Sequence, residues 1–408
     1  MARPARTARP ALSLLAAALL LPAVAAPGDE PIRIGVLHAL TGTMAESEKP
    51  LVDAVRLAVE EVNAAGGLLG RRVEAVVADS RSDPAFAASE AERLLRGRRV
   101  DALFGCWTSA CRKAVVPVVE RAQGLLFYPV QYEGMEMSRH AVYTGAAPNQ
   151  QVIPGTRWAL ENLGRRVYLV GSDYVFPRTA NAIVKDLLRI SNGTLLGERY
   201  LPLGSGDVAA IVADVRRLRP AVIVNTVNGD TNRALFAALL SAGLGETPVL
   251  SFSVTEREMR AFGGAALARH YAVWAYFQSL PGEANRRFVA RFKGRFGAGF
   301  VTSDPVEAAW AGVHLWTQAV REAGETAPAR VNDAIRHQSL HAPSGILSVD
   351  ASTRHLWKMV RVGRVRPDGQ FDVVWSLPSP VRPNPFPVYR TRTEWEKLLR
   401  DLLPEGSP

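Results

Sequence analysis

Short apolar segments alternate with longer amphipathic segments along most of this chain. Residues 32–37 have the nearly continuous apolar character of a buried strand, and residues 51–64 carry apolar side chains at helical spacing. The same alternation follows with a strand at 73–78 and a helix from about 84 to 96. Strands that alternate with helices form parallel sheets with right-handed crossovers, so the pattern predicts an α/β fold.

The next strand–helix–strand unit, residues 100–128, carries the most distinctive polar groups. A strand over 100–104 precedes a helix that either Thr108 or Ser109 can cap, and a second strand covers 125–128. Aromatic and hydroxyl side chains therefore collect just past the carboxyl ends of two strands. In open parallel sheets small ligands bind at this edge, and a helix N-terminus there adds free N–H donors.

A second strand–helix series begins near residue 148. Its predicted strands lie at 167–170, 195–201, 221–225, 249–252 and 270–276. Polar residues again follow several of these strands, as in the loops 171–178 and 228–230. Two such series predict two lobes that face each other across a cleft, which is a common place for a ligand.

Length and charge agree with two globular lobes. The chain has 408 residues, which is more than a single domain with one hydrophobic core usually contains. Its apolar content of 48% is that of a globular protein. The formal charge of +10 falls to +7 without Arg3, Arg6 and Arg9. The remaining excess is scattered arginine with no basic run interleaved with aromatic residues, so no nucleic-acid partner is expected.

The N-terminal 26 residues have the pattern of a cleaved secretory signal. Arg3, Arg6 and Arg9 form a positive region, residues 11–21 are apolar, and small residues at 23–26 suit a signal peptidase. No cysteine follows the apolar run, so a lipid anchor is not expected, and no later stretch is apolar enough to span a membrane. The mature protein is predicted to be soluble and periplasmic.

The two cysteines, Cys106 and Cys111, lie inside the unit at 100–128. Two cysteines exclude a disulfide scaffold, and C-x4-C without a second pair or a nearby histidine is a weak metal signal. The simplest interpretation is a pair of small buried residues. A periplasmic disulfide is the alternative.

Motifs for nucleotides, metals and catalysis are missing from the sequence. The loop at 39–48 contains no glycine-rich phosphate-binding motif, and no histidine belongs to a recognisable triad or metal motif. No cofactor, no metal and no enzymatic activity are predicted. Glu46 and Glu48 in this loop could face a ligand, although solvated or helix-capping acids are the simpler interpretation.

Several long motifs resemble those of the urea-binding proteins of ABC transporters. They lie at residues 105–113, 128–134, 143–150, 171–178 and 228–230, within a resemblance that covers about residues 31–390. The amide sensors of amidase operons are less similar, although the Gly105-Cys106 pair is closer to theirs. Both groups have the type I periplasmic-binding-protein fold.

The resemblance implies two doubly wound parallel-sheet lobes joined by a three-strand hinge. The first lobe would comprise residues 31–146 plus 280–345, and the second residues 147–279 plus 346–390. A C-terminal tail, 391–408, would follow.

Urea sets clear requirements for such a cleft. It is flat and neutral, with one carbonyl acceptor and two amino groups, so a pocket needs acceptors for the N–H groups and donors for the oxygen. The resemblance implies ligand contacts from the first lobe by Trp107, Thr108, Ser109, Tyr128 and Gln131, and from the second by Tyr174, Asp230, Glu256 and Tyr276.

Within this set, Ser109 and its helix N-terminus would hold one end of the ligand, between walls formed by Trp107 and Tyr128. Asp230 would accept an amino N–H, or it could instead cap the helix that begins at Thr231. Tyr174 could line the cleft or serve only as packing.

The resemblance implies a monomeric receptor that closes on urea by hinge motion and docks on ABC permease subunits in the inner membrane. Short amides such as formamide or acetamide are the alternative ligands. An amide sensor that feeds a regulator is a second alternative. An exported amidohydrolase is a third, which lacks support from any nucleophile or metal motif.

Overall fold

A computed structural model describes residues 1–2 and 30–402 of the chain. The predicted signal segment therefore lies outside the described residues except for its first two positions. The last six residues of the predicted C-terminal tail also lie outside them.

The described residues form strands and helices that alternate as predicted over most of the chain. The strands are β1 (Ile32–His38), β2 (Val73–Asp79), β3 (Ala102–Gly105), β4 (Leu126–Tyr128), β5 (Ala141–Tyr143), β6 (Arg166–Ser172), β7 (Thr194–Leu201), β8 (Val222–Thr226), β9 (Val249–Ser251), β10 (Tyr271–Trp274), β11 (Ser339–Ala342), β12 (Gly345–Val349), β13 (Leu356–Trp357), β14 (Arg361–Val365) and β15 (Phe371–Ser376). The α-helices are α1 (Ala45–Ala64), α2 (Pro84–Glu92), α3 (Ser109–Arg121), α4 (Val152–Asn162), α5 (Val175–Ile190), α6 (Ala209–Leu218), α7 (Thr231–Ser241), α8 (Glu256–Ala261), α9 (Glu283–Phe296), α10 (Asp304–Ala323), α11 (Pro328–Ala334) and α12 (Arg392–Leu402).

The first lobe is built on a parallel sheet of five strands in the order β2-β1-β3-β4-β5. Helices α1 and α10 pack against each other, and α2 packs against α3. The pairing of Leu37 with Gly105 sets the carboxyl ends of β1 and β3 side by side. His38, the last residue of β1, and Cys106, the residue after β3, therefore lie next to each other at one edge of the sheet.

The second lobe is built on a sheet of seven strands in the order β15-β14-β10-β9-β8-β6-β7. The strands from β10 to β7 run parallel, whereas β14 and β15 pair antiparallel at the other edge. The predicted α/β class with two parallel sheets is confirmed. The antiparallel edge comes from the C-terminal part of the chain, whose pattern gave no strand prediction.

Strands β11, β12 and β13 form a small antiparallel sheet beside the first lobe. Leu347, Val349 and Leu356 from this sheet are buried in the same hydrophobic core as the five-stranded sheet. The chain passes between the lobes after β5, again after β10, and a third time after β13. The exact lobe boundaries remain a prediction.

Two helices differ from their predicted extent. Helix α1 begins at Ala45, six residues before the predicted start, and includes Pro50. This early start places Glu48 on the helix, where its carboxylate accepts the Ala39 N–H at 3.0 Å. The predicted tail contains α12, whose Trp395 is fully buried and donates its indole N–H to the Pro387 carbonyl at 2.8 Å.

Among the helices of residues 30–402, none combines the length and apolar character that crossing a bilayer requires.

Candidate functional site

The N-terminus of α3 lies at the carboxyl edge of the first sheet, and Thr108 caps it. The Thr108 hydroxyl oxygen accepts the Cys111 N–H at 3.1 Å, and Thr108 has the extended backbone of an N-cap residue. Of the two predicted caps, Thr108 is the one used. Ser109 is therefore free to direct its hydroxyl elsewhere.

Cys106 and Cys111 form a disulfide, with their Cα atoms 5.6 Å apart. The simplest expectation from the sequence, two small buried thiols, was wrong. The bond forms because the chain turns at Cys106, which has a φ of 64°, so that the first turn of α3 returns Cys111 to it. The covalent ring contains the four residues between the cysteines, Trp107 to Ala110.

Ser109 joins a buried network with Arg112 and Glu133. Its hydroxyl donates to Glu133 Oε2 at 2.5 Å and accepts from Arg112 Nη1 at 2.8 Å. Arg112 Nη2 also donates to Glu133 Oε1 at 2.8 Å. All three side chains are at most 1% exposed, so each hydrogen bond acts in a medium of low polarity.

Glu136 provides a second counter-charge for Arg112. Arg112 Nε donates to Glu136 Oε1 at 2.9 Å, and Lys113 Nζ lies 3.4 Å from Oε2. Burial opposes ionisation of Glu136, but the charges of Arg112 and Lys113 outweigh it and lower its pKa to about 2. The positive charge of Arg112 is thus balanced by two carboxylates.

Tyr128 holds the backbone of the loop between β3 and α3 through a hydrogen bond. Its hydroxyl donates to the Trp107 carbonyl oxygen at 2.5 Å, and the Arg112 guanidinium lies 5.0 Å from the centre of its ring. Burial raises the pKa of Tyr128, so the hydroxyl keeps its proton for this bond. Tyr128 therefore fixes the backbone that carries Trp107 and Ser109.

Two fully buried side-chain hydrogen bonds join this part of the first lobe directly to the second lobe. The Trp107 indole N–H donates to Asn228 Oδ1 at 3.1 Å, and Gln131 Nε2 donates to Ser253 Oγ at 2.9 Å. All four side chains are at most 3% exposed. The lobes are therefore closed on each other at this point.

Tyr174 of the second lobe precedes α5, and α5 packs against α3. Burial and the neighbouring Tyr128 and Glu133 raise the pKa of its hydroxyl, and Glu48 adds to the effect. The Tyr174 hydroxyl thus lies within electrostatic range of carboxylates from two parts of the first lobe.

Asp230 lies at the mouth of the cleft, outside the buried cluster. Its side chain is exposed, and its backbone N–H donates to Thr43 Oγ1 of the first lobe at 3.2 Å. As the alternative predicted, Asp230 is the N-cap residue of α7, although its side chain makes no capping hydrogen bond among the described residues. Nearby, Ser47 Oγ donates to Glu258 Oε1 across the lobes at 2.6 Å.

Among the described residues, no hydrogen bond joins Tyr276 or Glu256 to the buried cluster. The Tyr276 hydroxyl bonds Asn285 and Thr302, both at 2.8 Å, and its ring packs edge-on against Phe288. Glu256 Oε1 accepts the Gln278 N–H at 2.9 Å. Both side chains thus bond residues of the segment after β10, which forms the second connection between the lobes.

Sequence reasoning missed four partners at this site, which are Arg112, Glu133, Asn228 and Ser253. The available signal was a charged residue inside an otherwise apolar, buried segment, as at Glu133. Charges in such a place are rarely tolerated without a partner. Within the described ranges, no group of three or more His, Cys, Asp or Glu side chains is arranged to hold a metal.

A profile of the "Periplasmic binding protein domain" family matches residues 32–392. The chain belongs to this family. The expectation of a solute-binding protein that is not an enzyme is thereby confirmed at the level of the family. The relationship to urea-binding proteins in particular is not shown by this match.

Solved structures of periplasmic binding proteins share the fold. A solute-binding protein of an ABC transporter from Rhodopseudomonas palustris BisB5, in complex with 3,4-dihydroxybenzoic acid, superposes with a TM-score of 0.78. The match covers 86% of this chain and 98% of that one at 20% sequence identity. At this identity the likeness establishes the fold alone.

Curated relatives match over shorter segments. The "Leu/Ile/Val-binding protein homolog 7" of Brucella melitensis is 35% identical over 117 residues, which is 29% of this chain and 28% of that protein. A "Limonene hydroxylase" of Geobacillus stearothermophilus is 32% identical over 124 residues, 30% of this chain and 23% of that protein. This periplasmic binding protein thus spans about a quarter of the length of these relatives in each match.

Proposed function

We propose that this protein is a periplasmic receptor of an ABC importer and that it captures urea between its two lobes. The observation that carries the proposal is the buried Ser109–Glu133 pair at the N-terminus of α3, whose charge is compensated within the protein. A short amide such as formamide or acetamide is the second candidate ligand.

The compensated charge favours a neutral ligand over a carboxylate. Arg112 is fully buried and is bonded to Glu133, Glu136 and Ser109. A ligand carboxylate placed here would meet Glu133 without a free cation to balance it, and burying an unpaired charge is costly. The Ser109 hydroxyl, which could otherwise donate to a carboxylate, already donates to Glu133.

The site is rich in acceptors, which suits the four N–H groups of urea. Each oxygen of Glu133 accepts one hydrogen bond from the protein and has a lone pair for another. The Gln131 Oε1 atom is buried and has no hydrogen-bond partner within the described residues. The Tyr174 hydroxyl, which keeps its proton, could donate to the urea carbonyl.

The closed lobes favour a small ligand. The Trp107–Asn228 and Gln131–Ser253 hydrogen bonds hold the two lobes within direct side-chain contact. A ligand that fits beside these bonds and contacts both lobes stabilises the closed form selectively. In this proposal Trp107 and Thr108 flank the ligand. Tyr128 does not contact the ligand and instead holds the Trp107 backbone in place.

After the lobes close on the ligand, the receptor would deliver the ligand to the importer. Both lobes present a fixed surface only when they are closed, and the permease subunits of an importer in the inner membrane would recognise that surface. We expect the receptor to act as a monomer, because ligand capture uses two lobes of one chain. A sensor that passes the same closure to a regulator is the second candidate role.

Isothermal titration calorimetry of the mature chain tests this proposal. The ligands are urea, acetamide, formamide, leucine and 4-hydroxybenzoate. We expect urea to bind, and Ser109→Ala to weaken urea binding about tenfold or more, because Glu133 loses a buried donor and the ligand its anchor. Ser89→Ala is the matched control, since Ser89 is exposed and bonds only the Phe86 carbonyl. Binding of leucine or 4-hydroxybenzoate in place of urea would contradict the proposal.

A further inference from the structure

His38 is a fully buried histidine at the carboxyl end of β1, which pairs with the central strand β3 of the first sheet. Its backbone carbonyl accepts the Ser80 N–H at 3.0 Å, which fixes the strand end. Its ring Nδ1 lies 2.8 Å from Glu48 Oε2. The sequence alone predicts no function for His38. Among the described residues, His38 makes no hydrogen bond to Ser109, Arg112 or Glu133.

The bonding pattern determines what His38 and Glu48 can still offer. Glu48 Oε2 also accepts the Ala39 N–H at 3.0 Å, so the carboxylate acts as an acceptor and His38 Nδ1 is the donor. His38 Nε2 is buried without a hydrogen-bond partner among the described residues. Glu48 Oε1 likewise makes no hydrogen bond within residues 30–402.

This pair borders the space between the lobes. Ser47, next to Glu48 on α1, donates across to Glu258 of the second lobe at 2.6 Å. The charge of Glu48 contributes to the raised pKa of Tyr174, as does that of Glu133. The Cys106 N–H donates to the Leu37 carbonyl at 2.9 Å, so the strand end that carries His38 lies beside the loop that leads to Ser109.

We propose that Glu48, oriented by His38, is a second acceptor for the solute and selects ligands that carry an amino group at both ends. Ser109 and Glu133 hold one end of the ligand, and Glu48 Oε1 accepts an N–H from the other. This inference rests on the proposed function of the site. It assigns to Glu48 the acceptor role that the sequence suggested for Asp230, whose side chain is exposed.

The predicted selectivity follows from the chemistry of the two candidate ligands. Urea presents an amino group at each end, whereas acetamide presents a methyl group at one end. With acetamide bound, Glu48 Oε1 would face the methyl group and lose a hydrogen-bond partner. Sites built to bond a polar group reject analogues that lack it, because their own buried polar atoms are then left unpaired.

Glu48→Gln tests the assignment, with Glu60→Gln as the matched control on the same helix. In Glu48→Gln the amide oxygen can still bond His38 and Ala39, which leaves its NH₂ group towards the ligand N–H. We expect urea binding to weaken about tenfold or more and acetamide binding to change less than about threefold. Glu60 is exposed and pairs with Arg295 of α9 rather than with the second lobe, so Glu60→Gln should leave both affinities unchanged.

A thermal melt shows whether each variant is folded, and His38→Gln provides a second route. It removes the imidazole that orients Glu48 and keeps the carboxylate, so the ratio of urea affinity to acetamide affinity should fall here too. Equal losses for both ligands in the folded variants, or no loss for either, would overturn the assignment while leaving the receptor function in place. If the unaltered protein binds neither ligand, the proposed function fails and this inference fails with it.

Discussion

Lys358 Nζ lies 3.2 Å from Asp304 Oδ1, and this buried ion pair touches all three connections between the lobes. Lys358 belongs to the third connection and donates to the Thr144 carbonyl of the first at 3.1 Å. Asp304 Oδ2 accepts the N–H groups of Ala275 and Tyr276, in the second connection, both at 3.0 Å. The pair therefore holds the three connections between the lobes together.

Lys358→Met should destabilise the protein strongly. It leaves Asp304 buried with no cation beside it, and breaking one partner of a buried pair costs about 3–5 kcal/mol. Guanidinium denaturation measures the free energy of unfolding. Lys397→Met is the control, because Lys397 is exposed in a pair with Asp401 and its loss should change stability by less than about 0.5 kcal/mol. Equal effects of the two substitutions would argue against the hinge role of Lys358.

The stability of the protein should fall as the pH rises from 6.5 to 9. Burial and the nearby charges of Asp304 and Glu258 raise the pKa of Glu256 to about 8, and burial raises that of Glu307 to about 7. A carboxyl group whose pKa is higher in the folded state stabilises that state below its unfolded pKa. This stabilisation is lost as the pH rises through the pKa that the group has in the folded state.

Glu256→Gln should therefore flatten the pH dependence of stability. Between pH 6.5 and 9, we expect the free energy of unfolding to fall by about 2 kcal/mol more in the wild type than in Glu256→Gln. The lowered pKa values of His270 and His355, both about 4 because of burial, act only at lower pH. Melting temperatures at the two pH values provide the comparison, and parallel losses in both proteins would count against a raised pKa at Glu256.

Removal of the disulfide should lower stability by about 2 kcal/mol. The bond between Cys106 and Cys111 closes a ring over a sequence separation of 5, and a ring of this size restricts the unfolded chain by that amount. The double variant Cys106→Ala/Cys111→Ala removes the bond without adding buried hydroxyls. Guanidinium denaturation of the variant against the oxidised wild type gives the difference, and unchanged stability would refute this contribution.

Trp107→Phe should weaken ligand binding more than it weakens the fold. The substitution removes the indole donor and leaves Asn228 Oδ1 without this partner only when the lobes are closed. The closed form should lose about 1 kcal/mol, or three- to tenfold in ligand affinity. Trp375→Phe, on the edge strand β15, serves as the control in the same calorimetric titration. Identical affinities for the two variants would show that the cross-lobe bond does not stabilise closure.

The sequence predicted the architecture well where local pattern determines it. The alternation of strands and helices, the helix that begins at Ser109 and the polar edge that follows β3 are all present. Local pattern could not predict the pairing of β14 with β10, because that contact joins segments about 90 residues apart. The lobe boundaries were likewise beyond local pattern.

The site was predictable in part. Trp107, Ser109 and Gln131 follow strand ends, so their convergence follows from the parallel sheet. The partners across the cleft, Asn228 and Ser253, depend on how the lobes close and carry no local signal. Tyr276 also follows a strand, but its hydroxyl bonds Asn285 and Thr302 in the hinge, which only the three-dimensional packing determines.

Equilibrium dialysis with radiolabelled urea tests the central claim most directly. The claim is that the interlobe site binds a small neutral solute rich in N–H groups and does not accept a carboxylate. We predict saturable binding with one urea per chain, displaced by unlabelled urea and retained in an excess of leucine or 4-hydroxybenzoate. No saturable retention, or displacement by either carboxylate, would contradict it.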